Sequence, residues 1–315
     1  MTLTRLPQVS LRSDDENSLQ SRVGNTPLLR INNLGGSVPR GVRVFAKAEW
    51  FNPSGSIKDR PALNIMRAAL AQGALSGGRR LLDSTSGNMG ISYATFGAAM
   101  GIPVTLCVPS NASPERITIL RTLGAEIILT DPSLGSDGAI LEARRLAEEQ
   151  ADRYWYANQY DNPANWQAHY ASTGPEILAQ TNGEITHLIV GLGTSGTLMG
   201  TGRYLREKLP NIKLVGIQPD AAFHGLEGLK HMPTAIPPKI YDASLADRII
   251  EVRTETAHEM VRELGRREGL FAGISSGAAL AGALQVAAEL KSGTVVTVFP
   301  DAGYKYLSDR ALWEG

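Results

Sequence analysis

The chain has 315 residues, 43% of them hydrophobic, and its 31 basic side chains balance 31 acidic ones. This length is sufficient for two domains with buried cores, and a net charge of zero provides no general attraction for nucleic acid or an anionic membrane. The single cysteine, Cys107, excludes a disulfide framework and leaves no Cys/His spacing typical of a zinc site. We therefore expect a soluble protein in the reducing cytoplasm, with small molecules or proteins as partners and no metal.

The N-terminal segment, residues 1–22, lacks the continuous apolar core of a signal peptide and carries the acidic cluster Asp14–Glu16. It is predicted to be a mobile or loosely docked arm. Residues 84–114 contain no charged side chain, which raises the alternative of a membrane span. Their glycine, proline, asparagine and serine content instead favours a helix followed by the buried strand 104–109 in an α/β core.

Short β-branched runs alternate with helical patterns along the rest of the chain. Helices are predicted at 60–73 and 113–125, the second with Ser113 as N-cap and Pro114 at the first helical position. This alternation implies the α/β class, built from βαβ units with parallel sheets. The spacing indicates two units of unequal size, with the polar segment Glu148–Asn158 as their boundary. The predicted strands are 42–49, 79–85, 104–109, 126–131, 186–193, 213–219 and 294–303.

Two glycine-rich loops join a predicted strand to a predicted helix, "STSGNMG" at 84–90 and "GLGTSGT" at 191–197. Such a loop exposes backbone N–H groups at a helix N-terminus and can bind a carboxylate or a phosphate. Either loop alone could also serve only to let the backbone pass closely. The second lacks the acidic residue of a dinucleotide site, because Gln218 ends the next strand, and it lacks a Walker lysine. A phosphate on a cofactor other than a nucleotide is the better hypothesis.

The stretch "NPSGSIKDR", residues 52–60, sets Lys58 between an extended segment and a helix, and a third glycine-rich loop, "GISSGAA", follows at 273–279. A lone lysine is most often a solvated surface charge. Here the small neighbours Gly55 and Ser56 leave room around the amine, and a desolvated amine has a lowered pKa suited to a nucleophile. A lysine with a phosphate loop is the combination expected for pyridoxal 5'-phosphate.

Six motifs in fixed order resemble the cysteine synthases, the O-acetylserine sulfhydrylases of fold type II among pyridoxal-phosphate enzymes. They are "NPSGSIKDR", "TSGNMG", "NQYDNPAN", "HYASTGPEI", "GLGTSGT" and "GISSGAA", and the resemblance runs from Val23 to Leu307. "GLEGLKHMPTAIPPKIYD" is closer to the B-type branch. The resemblance implies two parallel-sheet α/β domains of unequal size with the cofactor between them, a smaller substrate-closing domain at 48–155 and a larger cofactor-binding domain at 1–47 and 156–315.

The same resemblance implies a role for each cofactor-site residue. Lys58 matches the Schiff-base lysine, whose freed amine then moves the Cα proton. Asn88 matches the partner of the ring hydroxyl, and Ser275 that of the ring nitrogen. Because a neutral serine does not hold that nitrogen protonated, elimination of a β-leaving group is favoured. The phosphate loop is matched by Gly193, Thr194, Ser195, Gly196 and Thr197.

The implied reaction is β-replacement: O-acetyl-L-serine loses acetate to give an α-aminoacrylate, and sulfide or another sulfur donor adds to give L-cysteine. Thr85, Ser86, Met89 and Gln159 match positions that bind the substrate α-carboxylate. The alternative for these four is a structural role in capping a helix or completing a loop. The sulfur donor stays open among sulfide, thiosulfate and a carrier-bound thiocarboxylate.

Two departures from the family pattern concern substrate choice. Met89 replaces the usual threonine, and Asp220 stands where we expect relatives that prefer O-phosphoserine to carry arginine. A cystathionine β-synthase acting on serine is one alternative, and an inactive homologue that binds a partner is another. The "GTSGT" loop argues against threonine and serine dehydratases. The resemblance also implies a homodimer and a possible complex with the C-terminal peptide of serine acetyltransferase.

Overall fold

The computed structural model describes residues 16–34, 36, 38–85 and 87–314. Most of the predicted N-terminal arm lies outside these ranges, and its described end forms a 3₁₀ turn at Leu19–Arg22. The strands of the described chain are β1 Leu28–Arg30, β2 Val42–Ala48, β3 Arg80–Ser84, β4 Val104–Pro109, β5 Glu126–Thr130, β6 Tyr154–Tyr156, β7 His187–Gly191, β8 Lys213–Pro219, β9 Arg248–Val252 and β10 Gly293–Phe299. The α-helices are α1 Asp59–Ala71, α2 Asn88–Met100, α3 Pro114–Thr122, α4 Gly135–Glu149, α5 Ala164–Ala171, α6 Thr173–Gln180, α7 Gly196–Lys208, α8 Thr254–Glu263, α9 Ile274–Glu289 and α10 Arg310–Trp313.

The strands form two sheets of different size. The larger has six strands in the order β1-β2-β10-β7-β8-β9, and the smaller has four in the order β5-β4-β3-β6. Every neighbouring pair is parallel except β1, which runs antiparallel to β2 at the edge of the larger sheet. The predicted α/β class with parallel sheets is therefore confirmed, with one antiparallel edge strand that the sequence patterns did not indicate.

Each predicted strand and helix corresponds to an observed element, whereas three short strands were missed. β4 and β8 have the predicted bounds, and α3 begins at Pro114 after Ser113 as predicted. The Ser113 side chain makes no capping hydrogen bond; its hydroxyl instead donates to the carbonyl of Lys305 at 3.5 Å. β1, β6 and β9 are edge strands of three to five residues, too short to show a clear alternating pattern.

The uncharged segment 84–114 folds as α2 followed by β4, and every residue of β4 is buried. Cys107 lies inside this strand with its side chain wholly buried, and burial raises the pKa of its thiol to about 12. In the described part of the chain, none of the helices has the length and apolar character that crossing a membrane requires. The segment is a layer of the core of the smaller sheet.

A cluster of buried charges joins β2, α1 and α6. Arg60 Nε donates to Glu49 Oε2 at 2.7 Å, and its Nη1 donates to Glu176 Oε1 at 2.7 Å. Lys47 Nζ donates to the other oxygen of Glu176, also at 2.7 Å. Burial alone would raise the pKa of Glu176, but the two cations outweigh it and lower that pKa to about 2. The first turn of α1 is thus fixed to the larger sheet.

The predicted boundary at Glu148–Asn158 contains the end of α4 and strand β6. β6 pairs with β3 through Leu82 and Tyr156, so the smaller sheet takes its strands from residues 80–156. The larger sheet takes its strands from residues 28–48 and 187–299. The division of the chain at 48–155 remains a prediction about domains.

Candidate active site

A cleft lies beyond the carboxyl ends of β3, β7 and β10. Ligands of parallel α/β sheets bind at this end of the strands. The described residues among the predicted site positions line this cleft, except Gly196, which is buried at the start of α7. Ser86 lies outside the described residues. The cleft-lining members are Lys58, Thr85, Asn88, Met89, Gln159, Gly193, Thr194, Ser195, Thr197 and Ser275.

Lys58 immediately precedes α1 and lines the cleft. Its backbone N–H donates to Ser56 Oγ at 3.3 Å, and its carbonyl accepts from the N–H of Ala62 at 3.0 Å. The preceding residue, Ile57, donates its N–H to the carbonyl of Pro300 at the end of β10. Burial lowers the pKa of the Lys58 amine, and Asp301 only partly offsets this effect. A larger fraction of the amine is therefore neutral, as a nucleophile or a base requires.

The phosphate loop, Gly193–Thr197, is shaped by close approaches that only glycine permits. A Cβ on Gly193 would lie 2.2 Å from the carbonyl oxygen of Gly228, and one on Gly196 would lie 2.0 Å from Asn165 Oδ1. Between them, Ser195 has a φ of +67°, in the left-handed region. This conformation is uncommon for a residue other than glycine and turns successive N–H groups toward one side. This conformation is suited to binding an anion at the N-terminus of α7.

Hydroxyl groups of the phosphate loop test its fit to a phosphate. Ser195 Oγ is buried and has no hydrogen-bond partner in the described part of the chain. Such a group is costly unless a ligand or water satisfies it. Thr194 Oγ1 accepts from Asn165 Nδ2 at 3.1 Å, and Thr197 Oγ1 lies 3.4 Å from His169 Nε2. The loop therefore combines backbone donors with hydroxyl groups and fits the phosphate of pyridoxal 5'-phosphate.

Asn88 and Ser275 lie at the starts of two helices that face the cleft. Asn88 begins α2, where its Nδ2 donates to Asp301 Oδ2 at 2.7 Å and its Oδ1 accepts from Lys305 Nζ at 2.8 Å. Its amide retains a second N–H for a ligand. Ser275 is the second residue of α9 and is buried. Sequence reasoning missed Asp301 and Lys305, which hold the Asn88 side chain in place.

The predicted carboxylate loop, Thr85–Met89, follows β3. Thr85 Oγ1 accepts from the N–H groups of Gly87 and Gly90, each at 3.1 Å, so this hydroxyl helps to shape the loop. Gln159 Nε2 donates to the carbonyl of Ser84 at 2.6 Å. Met89 lies within the hydrophobic cluster beside the smaller sheet while also lining the cleft. These contacts are the structural roles that the sequence left open.

Asp83, near the end of β3, supports this loop through hydrogen bonds to backbone N–H groups. Its carboxylate accepts from the N–H of Ser84 at 2.8 Å and from the N–H of Gln159 at 3.2 Å. Burial raises the pKa of Asp83 to about 7, although these hydrogen bonds favour its ionised form. Asp83 thus connects the end of β3 to Gln159.

Four further residues that sequence reasoning missed also line the cleft, and we call them the ion-pair wall: Arg116, Glu227, Lys230 and Tyr306. Arg116, near the start of α3, forms an ion pair with Glu227 in the loop after β8. Lys230 Nζ donates to Asp137 Oδ1 of α4 at 2.9 Å. Both pairs join an element beside the smaller sheet to a loop of the larger one. No local motif marks them, because the partners are about 90 to 110 residues apart.

Asp220 is exposed and is not among the residues that line the cleft. Asp220 therefore adds no charge to the lining of the cleft, and its connection with substrate choice stays a prediction. The lining residue contributed by the same loop with a basic side chain is Lys230. The loop after β8 first reaches the cleft at Glu227, seven residues beyond Asp220.

Comparison with known proteins agrees with this geometry. Residues 19–301 match the family model of pyridoxal-phosphate dependent enzymes. The chain is 50% identical to the cysteine synthase of Aquifex aeolicus over 291 residues, which is 91% of this chain and 89% of that protein. It is 41% identical to cysteine synthase B of Pseudomonas aeruginosa, over 91% of this chain and 94% of that one.

A solved structure of cysteine synthase from Entamoeba histolytica superposes with a TM-score of 0.90 at 34% identity, covering 98% of this chain and 95% of that one. The predicted family is thus confirmed, and with it the fold type and the cofactor. The chain belongs to the cysteine synthases, within the family of pyridoxal-phosphate dependent enzymes.

Proposed function

We propose that the chain makes L-cysteine from O-acetyl-L-serine and sulfide, or a related sulfur donor, with Lys58 as the residue that holds the cofactor. The observation that carries this proposal is the placement of Lys58, with its lowered pKa, in the same cleft as the phosphate loop. The relatives named cysteine synthase support the choice of product.

Three groups of residues would hold pyridoxal phosphate. The phosphate loop, Gly193–Thr197, takes the phosphate through backbone N–H groups and the free hydroxyl of Ser195. Asn88 would offer its second amide N–H to the ring hydroxyl, and Ser275 would offer a neutral hydroxyl to the ring nitrogen. When bound, the cofactor withdraws electrons from the substrate amine and stabilises negative charge at Cα.

Lys58 Nζ then handles the proton. Its neutral amine removes the proton from Cα of the amino-acid substrate, the bond from Cβ to the acetate oxygen breaks, and acetate leaves with the electron pair. The sulfur nucleophile next forms a bond to Cβ, and Lys58 Nζ returns a proton to Cα. A lowered pKa suits both directions of transfer near neutral pH.

The carboxylate loop positions the substrate. Thr85, Ser86, Met89 and Gln159 would surround its α-carboxylate, at the N-terminus of α2 where backbone N–H groups and the helix dipole favour an anion. Because Met89 packs into the core, its backbone N–H rather than its side chain would contact the carboxylate. Movement of the smaller unit toward the larger one would exclude water from the reacting atoms.

The wider setting is also part of the proposal. The reaction uses small molecules, and the protein acts in the cytoplasm as a homodimer, with the C-terminal peptide of serine acetyltransferase as a possible ligand of the cleft. Cystathionine β-synthase chemistry on serine is tested by offering homocysteine as the acceptor. The proposal favours sulfide and leaves thiosulfate and a thiocarboxylate as further donors to be tried.

The test is an assay of purified protein loaded with pyridoxal phosphate. We expect cysteine from O-acetylserine and sulfide, with little product from serine and homocysteine. Borohydride reduction and peptide mapping should find the pyridoxyl group on the peptide that contains Lys58. Absence of cysteine with every donor, or a label on another lysine, would overturn the proposal.

A further inference from the structure

Arg116 is a buried cation in the wall of the cleft. Its side chain is 5% exposed, and it is paired with Glu227, whose side chain is 46% exposed. Its guanidinium carbon also lies 4.9 Å from the ring centre of Tyr306. The aromatic ring and the helix therefore fix Arg116, whereas Glu227 reaches it from a loop with one side open to solvent.

The guanidinium of Arg116 lies against the carboxylate loop. A Cβ built on Gly87 would be 3.3 Å from Arg116 Cζ and 3.5 Å from its Nη1. Gly87 is the residue that precedes α2, so the positive charge of Arg116 adds to that of the helix N-terminus. Arg116, Gly87, Asn88 and Met89 all line the cleft. The cation therefore faces the place where the proposed function puts the substrate carboxylate.

Glu227 is suited to leave this cation when another anion arrives. It precedes Gly228, which has a φ of +86°, and its carboxylate needs no further protein partner to be solvated because it is half exposed. Burial lowers the pKa of Arg116, and nearby negative groups, among them Glu227 and Asp301, outweigh it and raise that pKa. A planar guanidinium binds a carboxylate through two parallel hydrogen bonds, whichever molecule supplies the carboxylate.

We propose that Arg116 is a further substrate-binding residue, which exchanges the carboxylate of Glu227 for the α-carboxylate of the amino-acid substrate. Glu227 is then a competitor whose removal tightens binding. This inference rests on the proposed function, because that function places an amino acid in the cleft.

The experiment measures binding by calorimetry to the protein loaded with pyridoxal phosphate. The probes are L-alanine, which carries an α-carboxylate and no leaving group, and L-alaninamide, which lacks the carboxylate. Arg116→Met should weaken L-alanine binding about tenfold to a hundredfold, because a charge-assisted hydrogen bond is lost, and should leave L-alaninamide binding within about twofold of wild type. Arg116→Lys should recover part of the loss.

Glu227→Gln should tighten L-alanine binding about twofold to fivefold, as expected from loss of a partly exposed ion pair. The matched control is Glu289→Gln, which removes a carboxylate of similar exposure, 50%, from its pair with Arg248 on the larger sheet. This control should bind both probes as the wild type does.

Two results would overturn the inference. If Arg116→Met weakens both probes equally, Arg116 supports the shape of the cleft and does not bind the carboxylate. If Glu227→Gln weakens L-alanine binding, the ion pair of Arg116 and Glu227 instead holds α3, beside the smaller sheet, to the loop of the larger sheet. Failure of the proposed function is recognised separately, since wild-type protein would then bind these probes yet make no cysteine from O-acetylserine.

Discussion

The phosphate loop and the ion-pair wall line one cleft and are built in different ways. The phosphate loop is a continuous run of residues whose shape depends on two glycines and a left-handed serine. The ion-pair wall is assembled from α3, the loop after β8 and the segment near Tyr306, which are distant in sequence. The first wall was predicted residue by residue, and the second was missed.

This difference follows from the kind of chemical group, backbone or side chain, that each wall presents to the cleft. Backbone N–H groups at a helix start supply the phosphate loop, and only small residues permit that geometry, so the composition itself is a signal. Arg116 and Glu227 act through long side chains whose partner is decided by tertiary packing. An arginine at the start of a helix has many possible partners, and the sequence does not choose among them.

The largest effect on activity is expected from substitution of Lys58, which also lines the cleft. Lys58→Ala should lower kcat for O-acetylserine by more than about a hundredfold, because the amine that moves the Cα proton is lost. Steady-state turnover of cofactor-loaded protein checks this. Lys239→Ala is the control, since Lys239 is 79% exposed and is not among the residues that line the cleft. Activity within tenfold of wild type would exclude Lys58 as the base.

The phosphate loop itself is tested by Gly193→Ala. The added Cβ would meet the carbonyl of Gly228 at 2.2 Å, so the backbone must shift. The N–H groups of the loop would then no longer point toward the phosphate. Overpacking of this kind costs about 1 to 3 kcal/mol, and we expect retention of pyridoxal phosphate to weaken about tenfold to a hundredfold. Gly265→Ala is the matched control, because its Cβ would meet nothing within 4 Å. Equal retention in both variants would refute a shape-dependent loop.

The cluster of buried charges around Arg60 is tested by varying the pH. The pKa of Glu176 is lowered from 4.5 to about 2 in the folded chain, so its ionised form stabilises the fold at pH values above about 4.5. That contribution is lost as the pH falls from about 4.5 to about 2. Glu176→Gln should lower the free energy of unfolding by about 3 kcal/mol at pH 7, and the difference from wild type should shrink at pH 3. Urea unfolding at both pH values measures it; an equal difference at both would contradict the ionic explanation.

Substitution of Ser275 tests its proposed hydrogen bond to the ring nitrogen of the cofactor, and a smaller effect on activity is expected. Ser275→Ala should cost about 0.5 to 1.5 kcal/mol of transition-state stabilisation, the value of one neutral hydrogen bond. Ser275→Asp should instead hold the ring nitrogen protonated and change the ratio of elimination to other products. Product analysis with O-acetylserine separates the two variants. Wild-type activity and products in Ser275→Asp would remove the proposed role of Ser275.

The smallest effect on activity is expected at Met89. Because its side chain packs in the hydrophobic cluster, Met89→Thr should reduce stability by about 2 kcal/mol, while the KM for O-acetylserine changes by less than about twofold. Thermal unfolding and initial rates measure these quantities on the same sample. A clear fall in KM would show that the methionine side chain reshapes the substrate pocket.

Sequence patterns predicted the class of fold, most central strands and the residues of the glycine-rich loops. They failed where tertiary contacts decide the outcome. β1, β6 and β9 are short edge strands with weak patterns, and the Ser113 hydroxyl turns to the carbonyl of Lys305 instead of capping α3. Lys230 was missed for the same reason, since the path of the loop after β8 brings it to the cleft.

The burial of Cys107 has a chemical consequence for a protein that handles reduced sulfur. Its thiol lies inside β4 with a pKa raised to about 12, so thiolate is scarce at neutral pH and reagents have no access to it. It is the one cysteine in the sequence. The native chain therefore offers no competing sulfur nucleophile to its own reaction, and polysulfides or oxidised thiols formed around it have no site for a mixed disulfide.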